Sequence, residues 1–228
     1  MMNYKNYMTC LVTVLLGEND MNLTETREML LYTAEKMVSS EPMLTELDLK
    51  IGDGDHGLGM QRGFAAVRDL LSSNDFSPKD VGELFLTAGT KMMSSMGGAS
   101  GAIFGTLFRS GGKAIVGQQE FNSVVLSQFL VAGSAAVFAR GGAKPGDKTM
   151  IDSLVAAEKQ SEKVMNDDLG SALSSVAKAA AEGAEETRNQ VAVFGRAKSL
   201  GERSLGHVDP GAVSMSLIIK YMSEFVNK

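Results

Sequence analysis

Residues 122–140 read NSVVLSQFLVAGSAAVFAR, an alanine- and valine-rich stretch that has the character of a bundle helix. The reading extends in both directions. On the C-terminal side, Ile151 to Met165 sets Ile151, Leu154 and Val155 on one face, and Leu173, Val176, Ala177, Ala180 and Ala184 make a further stripe. On the N-terminal side, Ser77-Pro78-Lys79-Asp80 reads as a cap followed by proline at the first helical position, with a helix running to about Met93. Phe64, Val67, Leu70 and Leu71 keep a three-and-four spacing. Leu23 to Val38 is a helix with Thr24 and Arg27 turned away from the apolar face, Thr24 being alternatively its cap. No alternating β-branched run bounded by turns calls for a sheet. The expected fold is all-α, with helices of about 12 to 20 residues joined by short connections.

Glycine supplies 25 residues and proline only 4. Nineteen of the glycines fall in four clusters, at 52–63, 97–117, 141–146 and 195–211. Inside a helix each costs about 1 kcal/mol relative to alanine. The clusters are therefore expected to be loops where the backbone bends or approaches a ligand closely, with helix between them.

The chain has 228 residues, 44% of them hydrophobic and 21% charged, enough for one substantial core. Met21 starts a region suited to open the first helix, so residues 21–228 are expected to form one domain and residues 1–20 an extension without an assigned role. No apolar run is expected to approach the roughly 20 residues that span a bilayer. A single cysteine, Cys10, excludes an internal disulfide and a Cys-rich zinc site. Net charge is −5 and the basic residues are scattered, which favours neither a nucleic acid nor an anionic membrane as partner.

The segment Leu47-Asp48-Leu49-Lys50-Ile51-Gly52-Asp53-Gly54-Asp55-His56-Gly57 holds three carboxylates within eight residues. Like charges so close repel, and a divalent cation that accepts them as hard oxygen ligands is the usual remedy. A solvated acidic turn is the alternative. The letters Gly52-x-Gly54-x-x-Gly57 fit a dinucleotide fingerprint, but Asp53 and Asp55 would repel a pyrophosphate and no strand precedes them. An EF-hand fails as well, because Gly57, Leu58 and Phe64 occupy the third ligand, turn glycine and closing glutamate positions.

Gly97-Gly98-Ala99-Ser100-Gly101 precedes an apolar segment running through Phe108, so free backbone N–H groups and the Ser100 hydroxyl could receive an anion. Close helix packing through small residues is the alternative there. The segments 140–150 and 195–211 mix basic residues with turn formers. Taken jointly, one acidic and three donor-rich loops supply both halves of a metal–phosphate site. The two histidines, His56 and His207, lie in glycine–aspartate loops and are read as structural hydrogen-bonding groups.

Four strings occur in the order Ile51-Gly52-Asp53-Gly54-Asp55-His56-Gly57, Gly97-Gly98-Ala99-Ser100-Gly101, Lys144-Pro145-Gly146-Asp147-Lys148-Thr149-Met150 and Gly201-Glu202-Arg203-Ser204-Leu205-Gly206-His207-Val208-Asp209-Pro210-Gly211. Together, over about Met21 to Lys228, they resemble the L subunit of dihydroxyacetone kinase. The resemblance implies a closed barrel or bundle of about eight antiparallel helices with a nucleotide site at one end. It makes Asp48, Asp53 and Asp55 the magnesium ligands and catalytic carboxylates, holding two Mg²⁺ against the phosphates of ADP or ATP. It places His56, Gly59, Ala99, Ser100, Gly141, Met150, Arg196 and the Asp209-Pro210-Gly211 turn at or beside the nucleotide. Gly59 departs from the family pattern, where many relatives carry asparagine.

The implied activity is cytoplasmic transfer of a phosphoryl group to dihydroxyacetone held by a separate K subunit. The ADP stays bound and is rephosphorylated in place by a phosphocarrier M subunit of the phosphotransferase system. Two alternatives stand beside it: an ATP-exchanging L subunit of a kinase for another ketose such as erythrulose, and a non-catalytic nucleotide-sensing module reporting to a transcriptional regulator.

Overall fold

A computed structural model describes residues 20–228, and nine α-helices take up most of them. Residues 1–19, with Cys10 and nearly all of the expected N-terminal extension, lie outside the described residues. The helices are α1 (Leu23–Ser39), α2 (Glu41–Leu49), α3 (His56–Ser72), α4 (Val81–Ser95), α5 (Gly98–Ala114), α6 (Ser123–Gly141), α7 (Met150–Lys163), α8 (Leu169–Glu186) and α9 (Pro210–Val226). Extended structure among the described residues is limited to one antiparallel pair, β1 (Met21–Asn22) against β2 (Glu120–Phe121).

Side-chain caps decide where several helices begin. Asn22 accepts from the Thr24 and Glu25 amides while Glu25 returns a bond to the Asn22 amide, so Asn22 and not Thr24 caps α1. Asp80, three residues beyond the expected Ser77, accepts from Glu83 N at 2.8 Å and starts α4. Asn122, Thr149, Asp168 and Asp209 cap α6, α7, α8 and α9. Arg27 does not turn away from the protein. Its guanidinium donates to the carbonyls of Leu71, Ser73 and Phe76, closing the C-terminal end of α3.

The eight long helices pack in a closed ring, each against the next in the order α1, α3, α4, α5, α6, α7, α8, α9 and back to α1. The short α2 lies outside the ring against α3. One hydrophobic core runs through the ring from Met21 to Met222. At its centre Phe85 meets the rings of Phe129, Phe121 and Phe108 at 4.7, 5.4 and 6.0 Å, and Phe108 stands edge-on to Phe64. Each such ring removed from water contributes about 1.5–3 kcal/mol.

The glycine clusters do not simply mark loops. Gly57, Gly59 and Gly63 lie inside α3, and Gly101, Gly105, Gly111 and Gly112 inside α5. A methyl group on Gly89 of α4 would collide with the Arg109 backbone nitrogen of α5, and one on Gly112 with the Leu86 nitrogen of α4. These residues let two backbones approach where any side chain would wedge them apart, and that gain outweighs their poor helix propensity.

Helix α6 overturns the expectation about apolar runs. Its 19 residues, with a mean hydropathy of 1.5 over an 18-residue window, are long and apolar enough to cross a membrane. In the fold, Val125, Leu126, Phe129, Leu130 and Val137 are buried between α5 and α7, so this is a core helix of the ring.

Candidate functional site

A cavity of about 490 Å³ opens at one end of the ring. Its wall takes the first residues of α3, α5, α7 and α9, the last of α6 and Met96 just after α4, so neighbouring helices run antiparallel and alternate ends meet there. Four helix N-termini therefore bring their positive dipole ends to a single space, and that of α5, which has no side-chain cap, brings unpaired amides as well.

The acidic floor comes from α2 and the turn that follows it. Asp48, in the last turn of α2, is buried, while Asp53 and Asp55 are exposed, yet each offers an oxygen within 4.8 Å of the others. The turn is tight enough that a methyl group on Gly52 would strike the Asp48 carboxylate, and Gly54 adopts φ +78°, which glycine accepts without strain. Asp48 Oδ2 accepts from the His56 amide at 3.2 Å, and Asp53 Oδ2 lies 3.0 Å from Arg196 Nε. Three hard oxygen donors at this spacing fit a divalent cation such as Mg²⁺.

His56 joins three helices. Its Nδ1 bonds the Ser100 hydroxyl at 3.2 Å on α5 and its Nε2 the Ser214 hydroxyl at 2.8 Å on α9. Burial lowers its pKa despite the pull of Asp48 and Asp55, so the imidazole is neutral and serves as a brace. Ile103, Phe104, Val137, Ala143, Met150 and Ile151 give the lining an apolar slot, with Ile103 beside Gly141. A cavity of this size, lined by both apolar and charged residues, fits a nucleotide.

Asp209 caps α9 by accepting from Ala212 N at 2.7 Å. Its burial pushes the carboxyl up to about 7, against the opposing pull of that amide and of Lys148, with Asp152 and Asp48 adding to the rise. Lys148 is itself 2% exposed, and its ammonium donates to the carbonyls of Thr187 and His207. Burial lowers the Lys148 pKa while Asp209 resists the shift.

All thirteen residues singled out from the sequence, Asp48, Asp53, Asp55, His56, Gly59, Ala99, Ser100, Gly141, Met150, Arg196, Asp209, Pro210 and Gly211, line this one cavity. The sequence reading did not place Arg62, Ile103, Phe104, Lys148 or Phe194 there. Arg62 follows His56 and Gly59 at helical spacing on α3, and Ile103 and Phe104 stand one turn after Ser100, so helical periodicity could have found these three. Lys148 stands in the 144–150 string, but its place in the cavity wall, like that of Phe194, depends on tertiary contacts.

A family model described as the DAK2 domain matches residues 50–224. The ADP-binding subunit DhaL of the PEP-dependent dihydroxyacetone kinase of Escherichia coli K12 is 40% identical over 183 residues, covering 79% of this chain and 86% of that protein. The L-erythrulose 1-kinase of Mycolicibacterium smegmatis is 36% identical over 83% of this chain, which spans only 33% of that enzyme. The crystal structure of the C. freundii dihydroxyacetone kinase with AMP-PNP and Mg²⁺ superposes with a TM-score of 0.70 at 26% identity. That match covers 87% of this chain and 33% of the kinase.

Proposed function

The chain belongs to the DAK2-domain family of DhaL subunits, and on that premise we propose that it holds ADP or ATP with two Mg²⁺ and passes a phosphoryl group to dihydroxyacetone on a separate K subunit. An M-type phosphocarrier rephosphorylates the ADP in place, within the cytoplasm. Relatives named as PEP- and PTS-dependent kinase subunits support the donor side of this reading. The observation that carries it is the meeting of three carboxylates, within 4.8 Å of one another, with four helix N-termini at one cavity.

In this reading Asp48, Asp53 and Asp55 hold the metal, and the amides that open α5 together with Ser100 receive phosphate oxygens. Gly59 and Ala99 bring the backbones of α3 and α5 close to the same phosphates. Gly141 and Met150 bound the slot for the base, and the Asp209-Pro210-Gly211 turn presents the N-terminus of α9. His56 stays neutral and keeps α3, α5 and α9 in register. Arg196 contributes a cation at the mouth. The bound magnesium nucleotide supplies the phosphoryl group and the positive charge that offsets it during transfer.

The test is nucleotide retention. Protein purified through gel filtration in Mg²⁺ is expected to carry about one ADP per chain and, with K and M partners, to form triose phosphate from catalytic amounts of ADP. Absence of any Mg²⁺-dependent nucleotide binding would overturn the reading. Erythrulose kinases among the relatives favour a second one, an ATP-exchanging subunit acting on another ketose. Rapid exchange of the bound nucleotide with bulk ATP would select it.

A further inference from the structure

Lys148 has no part in the function proposed above, yet its geometry is unusual in three ways. It is a buried lysine, it is the sole non-glycine among the described residues with a positive φ, at 60°, and its ammonium bonds two carbonyls 20 positions apart in the chain. A buried ammonium and a left-handed backbone at a side-chain-bearing residue both cost stability. Such costs persist where the surrounding structure uses them.

The two carbonyls belong to Thr187, just after α8, and His207, just before the Asp209 cap of α9. These residues bracket the excursion 188–206, which carries Phe194, Gly195, Arg196 and Ala197 to the cavity wall. Lys148 therefore sits across its base. A second rung lies next to it, where Gly206 N donates to the Arg188 carbonyl at 2.9 Å and Arg188 Nη1 returns a bond to the Gly206 carbonyl at 2.8 Å. Thr187 Oγ1 also accepts from the Asp209 amide at 2.8 Å, which ties the same base to the start of α9.

Farther out the excursion is held more lightly. Its fastenings include one buried bond from the Ala192 amide to the Ser204 hydroxyl, a long bond from Val193 N to the Asp147 carbonyl, and the exposed Arg196–Asp53 pair. Val191, Val193, Phe194 and Leu205 are exposed. Few buried contacts, a long bond and an exposed ion pair are the features expected of a segment that opens before the helices do. Its position then depends on its base.

We propose that Lys148 is a positioning residue: by joining Thr187 to His207 it closes the base of the 188–206 excursion, holds Phe194 to Ala197 at the cavity mouth, and so sets how long a nucleotide remains bound. The retention half of this rests on the nucleotide reading above. The closure half does not.

The experiment compares the full chain with Lys148→Met, which keeps the aliphatic stem and removes the ammonium, and with Arg188→Ala, which removes the side-chain half of the second rung at the surface without disturbing a buried charge. In nucleotide-free protein, amide hydrogen exchange across 188–206 is expected to rise on the order of tenfold in K148M and less in R188A, with α1 and α4 unchanged. Fluorescent ADP is expected to dissociate from both variants faster in the same order, at an unaltered Mg²⁺ requirement. Wild-type exchange in 188–206 overturns the closure. If K148M does not fold, the shorter apolar Lys148→Leu takes its place under the same criterion. Raised exchange with wild-type dissociation overturns the link to retention. Failure of the wild-type protein to bind ADP-Mg²⁺ at all strikes the nucleotide reading instead, and the exchange arm still decides the closure.

Discussion

The two poles of the ring solve opposite problems. Around Phe85 glycines appear where helices must touch: Gly82, Gly89, Gly105 and Gly112 remove side chains from the α4–α5 seam, and aromatic rings fill the centre. At the cavity, Gly97 and Gly98 take positive φ and hold the chain in turns that expose amides. The contrast shows that one residue type, abundant throughout this sequence, serves packing at one pole and ligand approach at the other. Stability should therefore reside near Phe85 and binding near Asp53, and each change below strains that division.

The largest effect is expected from Phe85→Ala. It should cost about 3–5 kcal/mol by thermal or denaturant unfolding, while ADP stoichiometry measured well below the transition stays at the wild-type level. Loss of binding at full folding would break the division. Next comes pH. Asp209 titrates near 7 when folded against 3.8 for an ordinary aspartate, so the folded state binds the proton more tightly. Its contribution is fully present below the unfolded pKa and is lost as pH rises through about 7, at up to about 1.4 kcal/mol per pH unit. Asp209→Asn keeps a capping side chain but cannot ionise, so in metal-free and nucleotide-free protein the fall of Tm between pH 5 and 8 should flatten. An unchanged profile would refute this assignment.

Asp53→Ala should weaken Mg²⁺-dependent ADP binding on the order of 100-fold by titration calorimetry, as expected for loss of a metal-site group. Its Tm should move little, because the Arg196 pair it breaks is exposed. The smallest effects sharpen the glycine contrast. Gly89→Ala should cost about 1–3 kcal/mol, since the added methyl meets backbone at the α4–α5 seam. Gly59→Ala should fall within about 0.5 kcal/mol, because its methyl has ordinary contacts, the nearest at 3.7 Å from the Met96 carbonyl.

Helix identity was legible because burial imposes a period on each stretch: Met29, Leu30 and Met37 in α1, or Leu173, Val176 and Ala180 in α8, could be assigned without tertiary information. Helix starts were less so. Several nearby polar residues can cap, and the choice of Asn22 over Thr24 or Asp80 over Ser77 follows from which side chain reaches the N3 amide. Gly63 was misread as loop because the reason for it, the Met96 side chain packed across from α3, is absent from its own neighbourhood in sequence.

At the cavity, charged and glycine-rich strings pointed to the acids and amides. The apolar slot did not stand out, because Ile103 and Val137 resemble core residues until the helices are assembled. Lys148 lay within a recognised string, but its partners are separated from it by 39 and 59 positions. No local pattern can announce such a contact.

Closure of the ring by α1 against α9 has an architectural consequence. Because α9 begins at the cavity, Val226 lies about 25 Å of helix away from it, where the chain end packs on Tyr32 in the middle of α1. A fusion partner or surface tether grafted at the end of α9 would leave the mouth unobstructed.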